Sequence, residues 1–259
     1  TLLRRDPAWY APMGVHARAA AVQAGFCTPE EIAAMLPGEF DDRAGRISKS
    51  QANTGYILEA LAAARREDDA VTTLHDQWGA LLDYGATTAS AEMFHPSWKD
   101  ALGPSEAPIN GQCGYTSLCH PWGAAAVNYL QENVLGIRPL APGFRRVRIA
   151  PRLGRKLGFV SGTTPAPHGP IRASFDLASG ICEVSVPAGT TAQVGIPKDG
   201  RRIAAIRSLS RHGDSGGTPV WDGAFHGGWS GSEDEEYVYI DPVPPGEFVF
   251  CAEYAGARP

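Results

Sequence analysis

The chain has 259 residues, 43% of them hydrophobic, and a formal net charge of −5; it can hold two ordinary domains, or one large one, around a real core. The acidic balance argues against nucleic acid, whose phosphates demand a basic face, and against an anionic membrane surface. No apolar run approaches the roughly 20 residues that span a bilayer, and the first residues lack a signal-peptide core, so the expectation is a cytoplasmic protein with no membrane partner.

Up to about residue 136 the chain carries helix punctuation. "GVHARAAAVQAGF" is alanine-rich and stops at Gly25, suited to the left-handed residue that ends many helices. "TPEEIAAML" offers Thr28 as N-cap, Pro29 at the first helical position and Glu31 as the reciprocal capping partner. "SQANTGYILEALAAARR" puts Ile57, Leu58 and Leu61 on one side and closes with arginines, which suit the negative end of the helix dipole. "EDDAVTTLHDQWGALLDYG" starts acidic and ends at Gly85. "PWGAAAVNYLQENVLG" runs from Pro121 to Gly136, with Trp122, Ala126, Tyr129, Leu130 and Val134 as its apolar side. Five helices rich in alanine and glycine predict a close-packed array of helical hairpins. A long irregular loop over residues 86–116 interrupts them, and loops of that length in compact domains tend to carry function.

Beyond Gly136 the texture changes. "RRVRIAP", "IRASFDL", "CEVSVPA", "TAQVGIP", "EYVYID" and "EFVFCAEY" alternate apolar and polar residues between turn-forming clusters, as strands of an antiparallel β-sandwich do. "IRPLAPGF", with two prolines, reads as the connector. The expected fold class is therefore α+β with two domains: residues 1–138 helical and residues 139–259 a β-sandwich. The acidic run "SEDEE" lacks the alternating pattern of a calcium loop and reads as the solvated approach to a hairpin. Five irregularly spaced cysteines suggest neither a disulfide framework nor a zinc site; no metal is expected.

Two residues stand out as candidates for chemistry. Glu92, in "EMFHPSW", is a carboxylate beside Phe94, His95 and Trp98 within the long loop. An aromatic, partly apolar setting suits acid or base work, and aromatic rings are platforms for the C–H faces of sugars. His120, in "TSLCHPWG", precedes Pro121 and so sits at the mouth of the last helix, with Trp122 and Tyr115 nearby in sequence. Glycoside hydrolysis needs a second carboxylate, but Glu59, Asp83 and Asp100 have no spacing that singles one out.

Several of these stretches occur together, and in the same order, in one known family. "HDQWGALLDYGATTASAEMF" is similar to a pattern RERWGxMLxxGATTxWExF, and "SLCHPWGAAAVNYLQENVLGIRPLAPGFRRVRIAPRLG" followed by "SGTTPAPHGPIRASF" resembles the C-terminal part of bacterial α-L-rhamnosidases, a glycoside hydrolase family. The resemblance implies part of an (α/α)6 toroid followed by a C-terminal β-sandwich. It also implies inverting cleavage of terminal α-L-rhamnose by a general acid and a general base, with no organic cofactor. By position Glu92 corresponds to the base and His120 to a sugar contact; Trp122, Trp98, His95 and Tyr115 are further candidate contacts. With one residue inserted, "AEMF" stands where the family has Trp-Glu, and Ala91 replaces the tryptophan. Five helices cannot close a toroid of twelve. The expectation is thus a C-terminal portion without the general acid, packed against the missing N-terminal half or a second copy. The rival expectation is a non-catalytic carbohydrate-binding or scaffold protein of the same descent.

Overall fold

Helix α1 spans Val15–Gln23 in the computed structural model, which describes residues 13–35, 40, 41, 43, 46, 51–84, 109–110, 114–115, 119–210 and 216–256. It ends at the glycine the sequence marks. Gly25 has φ +70°, the Phe26 amide donates to the Ala21 carbonyl and the Gly25 amide to that of Val22. This paired closure satisfies carbonyls that a helix end otherwise leaves open. Helix α2 (Pro29–Met35) begins with the expected reciprocal cap: the Thr28 amide donates to Glu31 Oε2 at 2.8 Å and the Glu31 amide to Thr28 Oγ1 at 3.3 Å. Helix α3 (Gln51–Ala63) buries Ile57, Leu58 and Leu61 completely and contacts α1. Its closure uses Arg65 at φ +58°, a left-handed position that glycine usually fills.

The next helix is not continuous. Helix α4 (Glu67–Leu74) passes through a wide π-helical turn, His75–Gly79, into α5 (Ala80–Tyr84). The last helical stretch is likewise composite: a 3-10 turn at Pro121–Ala124, α6 (Ala125–Tyr129) and a π turn at Leu130–Val134. That corrects its expected apolar side. Ala126, Tyr129 and Val134 are buried, but Trp122 and Leu130 are 53% and 45% exposed. A tighter first turn and a wider last one shift the angular phase, so a stripe read at a uniform 3.6 residues per turn misplaces both ends.

The chain divides into two compact units, Thr1–Tyr129 and Leu130–Pro259. In the first, strands β1 (Ile109–Asn110) and β2 (Gly114–Tyr115) pair antiparallel, so the stretch read as an irregular loop contains a short ladder.

The second unit is built of two sheets. The strands are β3 (Ile137–Pro139), β4 (Arg146–Ile149), β5 (Phe159–Thr164), β6 (Ile171–Asp176), β7 (Ile181–Val186), β8 (Thr191–Pro197), β9 (Arg202–Leu209), β10 (Thr218–Trp221), β11 (Gly231–Glu233), β12 (Tyr237–Val243) and β13 (Gly246–Ala255). One sheet has the order β10-β9-β13-β7-β6-β5 and the other β11-β12-β8-β4-β3. The inward residues of both sheets, among them Val147, Ile149, Phe175, Val184, Val194, Val238, Ile240 and Phe250, form a single buried cluster. Alternation places them there: on β6, Ile171, Ala173 and Phe175 face inward while Arg172 faces solvent. "SEDEE" enters the expected hairpin; Asp234 Oδ1 accepts from the Glu236 and Tyr237 amides at 2.8 Å.

Three departures have physical reasons. The expected connector "IRPLAPGF" contains a strand, β3, because Ile137 is buried and pairs with Ile149. The pair β4–β8 is parallel, so the sandwich is not wholly antiparallel; the chain between them crosses to the other sheet as β5, β6 and β7. Strand β9 was not legible because its buried residues, Ile203 and Ile206, are three apart. Glu253 pairs with Ala205 but Tyr254 with Ile203, so an extra residue bulges at Ala204 and breaks the period of two.

Beside this bulge lies a titratable group with a consequence for stability. The Tyr254 hydroxyl donates to the Pro197 carbonyl at 2.7 Å, and the Arg201 guanidinium lies 3.6 Å from its ring centroid. Burial pushes the phenol from 10.0 up to about 12, against the opposing pull of Arg201. Folding therefore favours the protonated form. Below pH 10 the phenol is protonated in both states and its contribution is intact; as pH rises toward about 12 the unfolded chain ionises first and stability is lost. The loss should reach on the order of 2 kcal/mol. Urea unfolding across this window checks it: the decline should be shallower in Tyr254→Phe, and equal slopes would refute it.

Candidate functional site

The described part of the candidate site is the start of the last helical stretch. Pro121 restricts the residue before it to extended backbone, and His120 has φ −131° and ψ 131°. Its carbonyl accepts from the Gly123 amide at 3.1 Å, closing the first turn. The His120 side chain makes no capping bond to the helix. Its ring instead meets the Trp122 ring edge-on, with centroids 4.6 Å apart and planes at 67°. His120 is half-buried and Trp122 exposed. An imidazole and an indole are thus presented together at a helix mouth, one offering a polar ring nitrogen and the other an apolar face.

Two contacts from other helices hold this turn. Trp78 Nε1 donates to the Gly123 carbonyl at 2.8 Å. On α3, a Cβ at Gly55 would lie 2.7 Å from the Ala125 Cβ, so only glycine allows α3 and α6 their close approach. Trp78 belongs to the π turn, whose neighbouring residues anchor it. Asp76 is buried and accepts from Arg46 Nε at 2.6 Å, with Arg43 Nε 3.6 Å from its other oxygen. Arg46 Nη1 donates to the Phe40 carbonyl, and Gln77 Nε2 to the Arg46 carbonyl, both at 2.8 Å. Both Asp76 oxygens are engaged by guanidinium groups, so this carboxylate is an anchor.

The sequence singled out neither Asp76 nor Trp78; "HDQWG" reads locally as one turn of an amphipathic helix. Its partners are 30 and 45 residues away, and only tertiary contact distinguishes them. Of the other candidates, Tyr115 lies in β2, paired with Ile109. Glu92, His95 and Trp98 lie outside the described residues. Among the described residues, no group of three His, Cys, Asp or Glu side chains is arranged to hold a metal ion, and no helix is long and apolar enough to cross a membrane. Cys27, Cys119, Cys182 and Cys251 form no disulfide.

Residues 136–208 match the family described as the bacterial alpha-L-rhamnosidase C-terminal domain. An alpha-L-rhamnosidase of Alteromonas sp. is 30% identical over 137 residues, which are 51% of this chain and 14% of that protein. The fold of an alpha-L-rhamnosidase from Dictyoglumus thermophilum superposes on 93% of this chain with a TM-score of 0.69 at 17% identity, covering 25% of that structure. A Streptomyces avermitilis alpha-L-rhamnosidase, solved in complex with L-rhamnose, covers 76% of this chain at 26% identity and a TM-score of 0.54, using 17% of its own length. The chain therefore spans a quarter or less of the relatives it matches. The chain is thus similar to a C-terminal portion of bacterial α-L-rhamnosidases, and residues 136–208 of its β-rich unit match their C-terminal domain.

Proposed function

We propose that this chain is part of an inverting α-L-rhamnosidase acting on terminal rhamnosides, with the first unit contributing to the sugar pocket. The observation that carries this reading is the His120–Trp122 pair at a helix mouth, immediately ahead of residues that match the rhamnosidase C-terminal domain. The helices of the first unit form part of an (α/α)6 toroid whose remainder lies outside these 259 residues. Glu92 acts as the general base, accepting a proton from the attacking water. His120 hydrogen-bonds sugar hydroxyls, Trp122 and Trp98 offer apolar faces, and His95 and Tyr115 complete the contacts. The general acid that protonates the leaving oxygen comes from the rest of the toroid, and hydrolysis requires both groups.

The full-length protein tests this. Incubated with nitrophenyl α-L-rhamnoside and followed by proton NMR, it should release β-L-rhamnose before the anomers equilibrate. First release of the α anomer would exclude inversion. Ala91, in the place of the family's tryptophan, favours a second reading: a carbohydrate-binding protein that has lost catalysis. A full-length protein that binds rhamnosides and never turns them over would establish that reading.

A further inference from the structure

The outer face of the six-stranded sheet holds a depression of about 210 Å³, lined by residues of β5, β6, β7 and β13. Strand register builds it in two rows. Thr163, Arg172, Ser185 and Glu247 are cross-strand neighbours in one, and Ser161, Ser174 and Glu183 in the next. A solvated sheet face is polar whatever it does. This one differs in relief: short serines lie between the longer Arg172, Glu183 and Glu247, and so form a floor with walls. It differs also in what stands unused. Among the described residues the Arg172 side chain forms no ion pair or hydrogen bond, although two carboxylates line the same depression. Glu183 accepts from Ser174 Oγ at 3.3 Å.

We propose that this depression binds a neutral saccharide, one sugar ring at a time. The lining provides guanidinium donors, carboxylate acceptors and hydroxyls that serve as either. A vicinal diol uses that mixture, because each hydroxyl both accepts and donates, and its bonds to charged partners are the stronger kind. One cation against two carboxylates leaves the lining net negative, which disfavours phosphate or uronate. The volume lies below the ~300–1,000 Å³ of sites for drug-sized ligands, in keeping with a single ring. Phe159 lies on the same face by strand alternation, two residues from Ser161, and is 59% exposed. Its ring offers an apolar surface to the next sugar of a chain. The choice of rhamnose as probe rests on the proposed function; the site itself does not.

The experiment is amide-shift NMR on the 259-residue chain carrying His120→Ala, so that the helix-mouth histidine contributes nothing. L-Rhamnose, the disaccharide rutinose and galacturonate are titrated separately. The neutral sugars should shift amides of β5, β6, β7 and β13, and Arg172→Ala should weaken that binding roughly tenfold while leaving the rest of the spectrum unchanged. Shifts that are absent with both neutral sugars, that persist in Arg172→Ala, or that appear with galacturonate alone would overturn the assignment. Because the readout is binding on the sheet, it stands whether or not the full-length protein hydrolyses rhamnosides.

Discussion

Glu92→Gln in the full-length protein is expected to lower turnover of nitrophenyl α-L-rhamnoside about 10²–10⁴-fold, the range that a positioned general base contributes. The amide keeps the shape of the side chain but cannot take a proton from water. Binding should persist, so KM should change far less than kcat, and the loss belongs to the transition state. The pH profile supplies an independent check. With a carboxylate base, kcat/KM falls at acid pH as the base protonates; in Glu92→Gln that limb should vanish. Unchanged turnover, or an unchanged acid limb, would remove Glu92 from the role. His120→Ala should show the opposite split, raising KM more than it lowers kcat, since its proposed part is to hold the sugar.

Phe250→Ala should be the most damaging single truncation in the β-rich unit, at about 3–5 kcal/mol. Phe250 is fully buried on β13, between β7 and β9. Its ring meets Trp229 edge-on with centroids 5.5 Å apart and stacks parallel to Phe248 at 6.0 Å. Removing it costs the transfer free energy of the ring, the two aromatic contacts and the cavity left behind, because a side chain held between two paired strands has little room to collapse. Phe159→Ala on the same sheet is the control: that ring faces solvent, and its loss should cost less than about 0.5 kcal/mol. Denaturant unfolding followed by near-ultraviolet circular dichroism distinguishes them. Equal midpoints for the two variants would contradict the placement of the core.

Interactions that close within a few residues of the chain are displayed by the sequence, and those that reach farther are not. The Thr28–Glu31 cap and the Gly25 closure involve neighbours three to five residues apart, so the sequence displays them directly. Strands β4, β6, β7, β8, β12 and β13 were legible because their core-facing apolar residues recur at every second position over short spans. The rhamnosidase resemblance was legible for a different reason: "GATT", "CHPW" and "PGF" are short stretches that stand in the order of that family's pattern and need no folded structure to be read.

Tertiary structure alone decided the rest. A bulge hid β9 by spacing its core residues at three instead of two. The parallel β4–β8 pair depends on a crossover whose direction no local pattern records. Trp122 sat in the expected apolar stripe, yet a 3-10 first turn rotates it out to solvent beside His120. Asp76 and Trp78 read as ordinary helix residues until Arg46 and Gly123 are brought to them across the fold. The amino-acid sequence by itself determined the cap at Thr28, the closure at Gly25, six strands of the sandwich and the rhamnosidase resemblance. Helix phase, strand partners and the neighbours of each polar side chain depend on contacts between distant residues, and those exist only once the chain has folded.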